Sequence, residues 1–256
     1  MQNSSFVVKN LNFCYSQGTF TLKSLSFSAP SCTIIGLFGP NGSGKSTLLK
    51  CLSGIYKNFT GAIWLDGENI ATCKIKSLAK KISYVPQERE STFDFTVYDM
   101  IMMGRTASMN FNLMPSQTDK EMVSATIEQF KLSSIQDAIY STLSGGQKQL
   151  VLIARAIAQD TNTIILDEPT SALDFKNQLN IWHILKQLSP HKTIIVCLHD
   201  PNQALWFCDN IILLNHGTLL DYGCTKTILS RENLRALFGD ICRMQDGLVV
   251  PREFYS

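Results

Sequence analysis

The chain has 256 residues but no apolar run that approaches the roughly 18 residues needed to cross a bilayer. Runs such as Ile194–Leu198 and Ile211–Leu214 are strand-sized, so any membrane role is expected to come through a partner. Charge is sparse: the formal net charge is +2, and lysines and arginines are spread rather than blocked. That pattern argues against a dedicated nucleic-acid surface. No Cys-x-x-Cys pair occurs among the eight cysteines, so their spacing does not suggest a zinc site. The opening MQNSSFVVKN lacks the apolar core of a signal peptide. The cysteines are therefore expected to be reduced, mostly buried thiols of a cytosolic protein rather than disulfides. Internal repeats, low-complexity linkers and sustained heptads are also missing.

What is present is a chain that is 45% hydrophobic, enough for a sizeable core without metal or disulfide help. Period-two apolarity in FVVKNLNFCY and FTLKSLSFSA predicts a half-buried antiparallel sheet. SCTIIGLFGP reads as a short strand ending in glycine, and KSTLLKCLSGI as a helix closed by Gly54. GAIWLDGENI reads as a hairpin turning at Asp66-Gly67, and Ile82–Val85 as a further strand. Thr96 to Leu132 is mainly helical in pattern, with Met122, Val123, Thr126, Ile127 and Phe130 on one face. A helix from Ser144 buries Leu150, Ile153, Ala154, Ile157 and Ala158. Then come the strand TIILD, a helix near Asn177–Leu188, the strand TIIVCL, a helix near Asn202–Cys208 and the strand IILL. Strands alternating with helices predict an α/β fold with a mainly parallel sheet, an antiparallel β subdomain and an inserted helical subdomain. The expected division is one domain, with a core of 1–86 and 161–230, a helical insert of 87–160, and a tail of 231–256 too short for an added regulatory domain.

GPNGSGKST, from Gly39 to Thr47, fits the phosphate-loop pattern between a predicted strand and a predicted helix. Gly39, Pro40, Asn41, Gly42, Ser43 and Gly44 would wrap phosphates with backbone N–H groups, aided by the helix dipole. Lys45 can reach the β- and γ-phosphates, the Ser46 hydroxyl can ligate Mg²⁺, and Thr47 is placed for the α-phosphate. TIILDEP ends a strand on two carboxylates. Asp167 would hold Mg²⁺ directly or through water, and Glu168 would polarise a water attacking the γ-phosphate. A solvated acidic turn is the bland alternative for this pair. His199 follows the next strand, where it is either placed to reach the γ-phosphate or simply a satisfied polar residue. Gln87 ends another, and is either an ordinary strand-end glutamine or a residue that ligates Mg²⁺ or positions the water.

Ser144-Gly145-Gly146 at a helix start forms a second anion cradle. One chain cannot easily close both cradles on one phosphate, but two chains packed head to tail can. ATP would then lie between one chain's Lys45 loop and its partner's Ser144 helix in a C2 dimer.

These motifs, in this order, resemble the ATP-binding subunits of ABC transporters over nearly the whole chain: Gly39–Thr47 as Walker A, Gln87 as Q-loop, Leu143–Gln147 as the LSGGQ signature, Ile164–Glu168 as Walker B, Ser171–Asp174 as D-loop and His199 as switch histidine. The resemblance implies an ATPase with ATP and Mg²⁺ bound. It implies that Glu168, His199, Gln87 and Lys45 are catalytic, that Tyr15 stacks on adenine, and that Ser144, Gly145, Gly146, Gln147 and Asp174 act in trans. A narrower likeness, in VYDMIMMGRT, PTSALDFKNQ and the stretch His199–Gly223, is to importers of metal chelates: iron-siderophore, haem, cobalamin and, in some members, molybdate. Pro201 departs from the leucine more usual there. This implies a homodimer on the cytoplasmic face of the cell membrane, joined to integral-membrane permease subunits and indirectly to a solute-binding protein, with no nucleic-acid partner. Rivals are a soluble ABC ATPase acting on DNA or ribosomes and a module of another transporter type. Five of the eight methionines fall between Met100 and Met114. With Gln87–Phe95 they form either a groove for a permease helix or ordinary core packing.

Overall fold

The computed structural model describes residues 4–15, 21–87, 94–109 and 114–252. In chain order the elements are β1 (Ser4–Cys14), β2 (Thr21–Pro30), β3 (Ile34–Phe38), α1 (Lys45–Leu52), β4 (Thr60–Leu65), β5 (Glu68–Asn69), α2 (Ile75–Leu78), β6 (Ile82–Val85), α3 (Val97–Met102), α4 (Gln117–Gln129), α5 (Gly145–Ala158), β7 (Thr163–Asp167), α6 (Phe175–Leu188), β8 (Thr193–Leu198), α7 (Pro201–Phe207), β9 (Asn210–Asn215), β10 (Thr218–Cys224), α8 (Thr225–Ile228), α9 (Arg231–Phe238), β11 (Cys242–Gln245) and β12 (Leu248–Pro251). They form two compact units, 1–73 with 185–256, and 74–184. No helix among the described residues is long and apolar enough to cross a membrane.

The first unit holds two sheets. An antiparallel sheet runs β2-β1-β4-β5. Phe6 and Val8 are buried on one phase of the alternation, Leu11 and Phe13 on the other. The register shifts between Val8 and Leu11, and Asn10 takes a φ of 47°, so one inserted residue returns the apolar side chains to the same face. The expected hairpin turns at Asp66 and Gly67, with φ of 48° and 82°, as a two-residue loop with both central residues left-handed requires. The second sheet of this unit runs β10-β9-β3-β8, with β9, β3 and β8 parallel and β10 antiparallel to β9. Phe38 pairs with Leu198 and with Leu213, so Gly39 and His199 emerge at the same carboxyl edge. That edge is where ligands bind in open α/β sheets. β10 was not anticipated; its signal was the His216-Gly217 turn, with φ of 46° and 77°.

In the second unit β6 and β7 pair in parallel, from Ile82 with Thr163 to Val85 with Leu166. The helical stretch breaks more often than its apolar pattern suggests. Thr96 and Ser116 each open a helix through a capping box, with Asp99 and Asp119 three residues on. A 3₁₀ turn, Met103–Ala107, lies between the two. A Cβ on Gly104 would sit 2.3 Å from the Arg155 carbonyl oxygen, so only glycine lets this turn meet α5. Beside it Arg105, buried, donates from Nε to Asp119 Oδ1 at 2.9 Å and from Nη1 to the Ala158 carbonyl at 2.7 Å. This one side chain ties the turn to both α4 and the end of α5. Of the expected face, Val123, Thr126, Ile127 and Phe130 are buried and Met122 is half-buried.

All eight cysteines are free. The expectation that most are buried needs correction: Cys51, Cys197 and Cys208 are buried, whereas Cys14, Cys32 and Cys224 are exposed. The exposed three lie at a strand end, in a tight turn with φ of 56°, and on the outer strand β10. Burial pushes the Cys51 thiol up to about 12 and raises that of Cys208 as well.

Candidate nucleotide site

Sequence and sterics shape the loop after β3 together. A Cβ on Gly39 would lie 2.1 Å from the Leu214 carbonyl oxygen, so no other residue fits. Gly42 and Gly44 take φ of 76° and 102°, which turns the chain back into α1. Lys45 opens that helix and is only 6% exposed. Its Nζ donates to the carbonyls of Gly39 at 2.9 Å and Pro40 at 3.1 Å, folding the amine over the loop. Ser43 Oγ is buried with no hydrogen-bond partner among the described residues. A buried hydroxyl left so is a site waiting for a polar ligand atom, and a phosphate oxygen meets that need. Ser46 is half-buried on the first turn, and Asn41 is exposed.

The Thr47 hydroxyl lies 3.0 Å from the Tyr15 hydroxyl. Tyr15 stands edge-on to Phe13 and to Tyr56, with centroids 5.0 and 5.8 Å apart, while Phe13 stacks on Tyr56 at 5.0 Å. The predicted aromatic thus belongs to a cluster beside the loop. Phe13 and Tyr56 went unread in the sequence, although Tyr56 follows the Gly54 helix stop by two residues. His199 is exposed at the end of β8, on the same sheet edge as Gly39.

In the second unit the ends of the paired strands bring three predicted residues together. Asp167, the last residue of β7, is 2% exposed and accepts from the Tyr84 hydroxyl at 3.4 Å. Glu168 follows with a φ of 53°, an uncommon backbone for a side chain of this kind and one that clusters at functional sites. Ser171 holds that turn: its N–H and hydroxyl both donate to the Glu168 carbonyl, at 3.3 and 3.0 Å. Gln87 Nε2 donates to Glu168 Oε2 at 3.1 Å. Tyr84 was not singled out from the sequence, but its place one residue before the end of β6, between buried Ser83 and Val85, fits an outward strand position.

Ser144 is the exposed N-cap of α5. Its hydroxyl accepts from the Gln147 N–H at 3.3 Å, and Gln147 Oε1 accepts from the Ser144 N–H at 3.1 Å. The cap leaves Gly145 and Gly146, whose N–H groups have no partner within the helix. A Cβ on Gly146 would meet the Ala172 carbonyl oxygen at 3.4 Å, so the start of α5 lies close against the 171–174 turn. Asp174, expected to act in trans, caps α6 here: its Oδ1 accepts from the Asn177 N–H at 2.8 Å.

A glycine-built loop with a buried lysine, set on the carboxyl edge of a parallel sheet, defines a P-loop nucleoside triphosphatase. The comparisons narrow the class. A family model described as ABC transporter matches residues 22–171. An iron chelatin transport ATP-binding protein of Helicobacter pylori is 38% identical over 234 residues, covering 90% of this chain and 91% of that protein. A solved metal-chelate type ABC transporter in an inward-facing conformation superposes with a TM-score of 0.82 at 33% identity, covering 98% of this chain and 99% of the other. A dimeric ATP-binding cassette in a post-hydrolysis state with ADP and Pi superposes with a TM-score of 0.77 at 27% identity, covering 86% and 98%. The chain belongs to the ABC transporter family and is one of its ATPases.

Proposed function

We propose that this ATPase powers uptake of a metal chelate or oxyanion, of iron-siderophore, haem, cobalamin or molybdate type, through separate integral-membrane permease subunits at the cytoplasmic face of the membrane. A solute-binding protein acts upstream of the permease. The observation that carries this reading is an open apolar cavity of about 470 Å³ on the helical stretch, lined by Phe95, Asp99, Met102, Met103, Thr106, Met109 and Pro115. Methionine gives adaptable apolar surface, suited to a docking helix that rocks during a cycle. Met103 is 37% exposed, whereas Met100 packs in the core and belongs to ordinary packing. Of the Gln87–Phe95 stretch, 88–93 lie outside the described residues. Likeness over nearly full length to a metal-chelate transporter supports the cargo class.

In this reading the N–H groups of Gly39–Gly44, the Ser43 hydroxyl and the Lys45 amine hold the phosphates, and Tyr15 stacks on adenine. The Ser46 hydroxyl, the Gln87 amide and the Asp167 carboxylate are the hard oxygen donors that suit Mg²⁺. When bound, Mg²⁺ neutralises charge that builds on the phosphate oxygens. Glu168 orients and polarises the attacking water, and Gln87 keeps its carboxylate in place. His199 contacts the γ-phosphate. Ser144, Gly145, Gly146 and Gln147, with Asp174, complete the partner's site in a head-to-tail homodimer.

Replacing both Met102 and Met103 with glutamate is expected to abolish co-purification with the permease while leaving ATP affinity unchanged. Co-purification from detergent-solubilised membranes and nucleotide titration check the two halves. Retained assembly would remove the groove from the account.

A further inference from the structure

The segment after β10 showed no role in the sequence, yet it packs on β3, the strand that leads into the nucleotide loop. Phe238, the last residue of α9, meets Phe38 edge to face with ring centroids 5.7 Å apart. Phe38 directly precedes Gly39. Asp240 pairs with Arg235 at 3.2 Å and with Arg252 at 3.3 Å, and the Arg252 N–H donates to the Ile241 carbonyl at 2.9 Å. These bonds fix the base of the β11–β12 hairpin to α9.

The hairpin turns through Asp246 and Gly247, with φ of 51° and 77°, between Gln245 and Leu248. In a two-residue hairpin the pair flanking the loop exchanges main-chain bonds and the next pair does not. Met244 and Val249 are that next pair, so both polar groups of Val249 point away from β11. Asn202 takes both. Its Nδ2 donates to the Val249 carbonyl at 3.0 Å, and its Oδ1 accepts from the Val249 N–H at 2.8 Å. One side-chain amide thus replaces a neighbouring strand.

Asn202 lies on the first turn of α7. Its own N–H donates at 2.8 Å to Oδ1 of Asp200, the N-cap. Pro201 sits between them with φ held by its ring. His199 precedes this cap directly. The peptide that carries His199 is therefore fixed by a cap, a proline and a two-bond clip to the hairpin.

We propose that Asn202 and β12 form a clip that positions His199, so that the hairpin sets the rate of ATP hydrolysis without touching nucleotide. The inference rests on the role given to His199 above. Displacing a reacting group by about 1 Å can cost on the order of 10²-fold, and a loosened clip allows part of that. Two changes break the clip from opposite sides in the full-length chain. Asn202→Ala removes the amide. Val249→Pro removes the N–H from which Asn202 Oδ1 accepts and keeps the carbonyl, at a position whose N–H points away from β11 and so can take proline.

Each variant is expected to lower kcat about tenfold, with the KM for ATP and the Tm unchanged. The double variant should be no slower than either single one. In a His199→Ala background neither change should slow turnover further, because the clip acts through the histidine. Wild-type kcat in both clip variants, beside an impaired His199→Ala, overturns the clip alone. A clip defect that persists at full size in His199→Ala, or that tracks a fall in Tm, shows a merely structural role and also overturns it. Wild-type turnover in His199→Ala overturns the role of the histidine and the clip with it.

Discussion

Glu168→Gln is expected to lower kcat for ATP hydrolysis by about 10²- to 10⁴-fold, the range for loss of a general base. The substitution removes charge and basicity while keeping size. The variant amide oxygen can still accept from Gln87 Nε2, the bond that Glu168 Oε2 makes at 3.1 Å. The turn should also persist, because its two bonds from Ser171 end on the backbone carbonyl rather than on the carboxylate. Binding of ATP is left intact, since the phosphate loop lies elsewhere in the chain. Such a protein binds ATP and holds it, so the nucleotide-bound homodimer should accumulate. Steady-state phosphate release checks the first effect, and size exclusion with and without ATP checks the second. Turnover within twofold of the parent would remove Glu168 from the chemistry.

Arg105→Ala should produce the largest loss of stability, about 3–5 kcal/mol, as for breaking a buried ion pair from one side. Folded domains have only about 5–15 kcal/mol in total, so the variant is marginal. Arg105 is buried and donates to Asp119 Oδ1 and to the Ala158 carbonyl. Without it the carboxylate keeps its bonds from the Ser116 hydroxyl and N–H but loses its cation. The Ser116 hydroxyl first, then Arg105, then the Ser116 N–H hold the Asp119 carboxyl below the usual carboxylate range. A depressed folded pKa contributes stability above the unfolded value and loses it as pH falls through the folded one. The gap between parent and variant should therefore shrink on acidification through and below the carboxylate range. Arg105→Lys should recover only part of the loss, because one ammonium cannot match the forked geometry. Urea denaturation at several pH values checks both statements. A loss below about 1 kcal/mol would mean that the pair behaves like an exposed one.

Local patterns with a single physical cause were legible. The Gly39–Thr47 loop, the Asp66-Gly67 turn and the strand Thr163–Asp167 follow from φ requirements and apolar runs, and the structure forms them in place. Asp167, Glu168 and Gln87 were legible as strand ends, but the Gln87–Glu168 bond depends on the β6–β7 register, which no local pattern encodes. The helical stretch was read as longer than it is because its apolar spacing hid two capping boxes and the Gly104 approach to α5. The exposure of Cys14 and Cys32 depends on where a strand ends and how the chain turns, and that of Cys224 on β10 lying at the edge of its sheet. The Asn202 clip was not readable at all: a polar residue on a short helix has no signal for a partner 47 positions away.

Affinity capture of the Glu168→Gln protein from its native membranes, with ATP and Mg²⁺ present and partners identified by mass spectrometry, tests the central claim most directly. The account expects a polytopic permease, with its solute-binding protein. Ribosomes, DNA, or no membrane protein would contradict it.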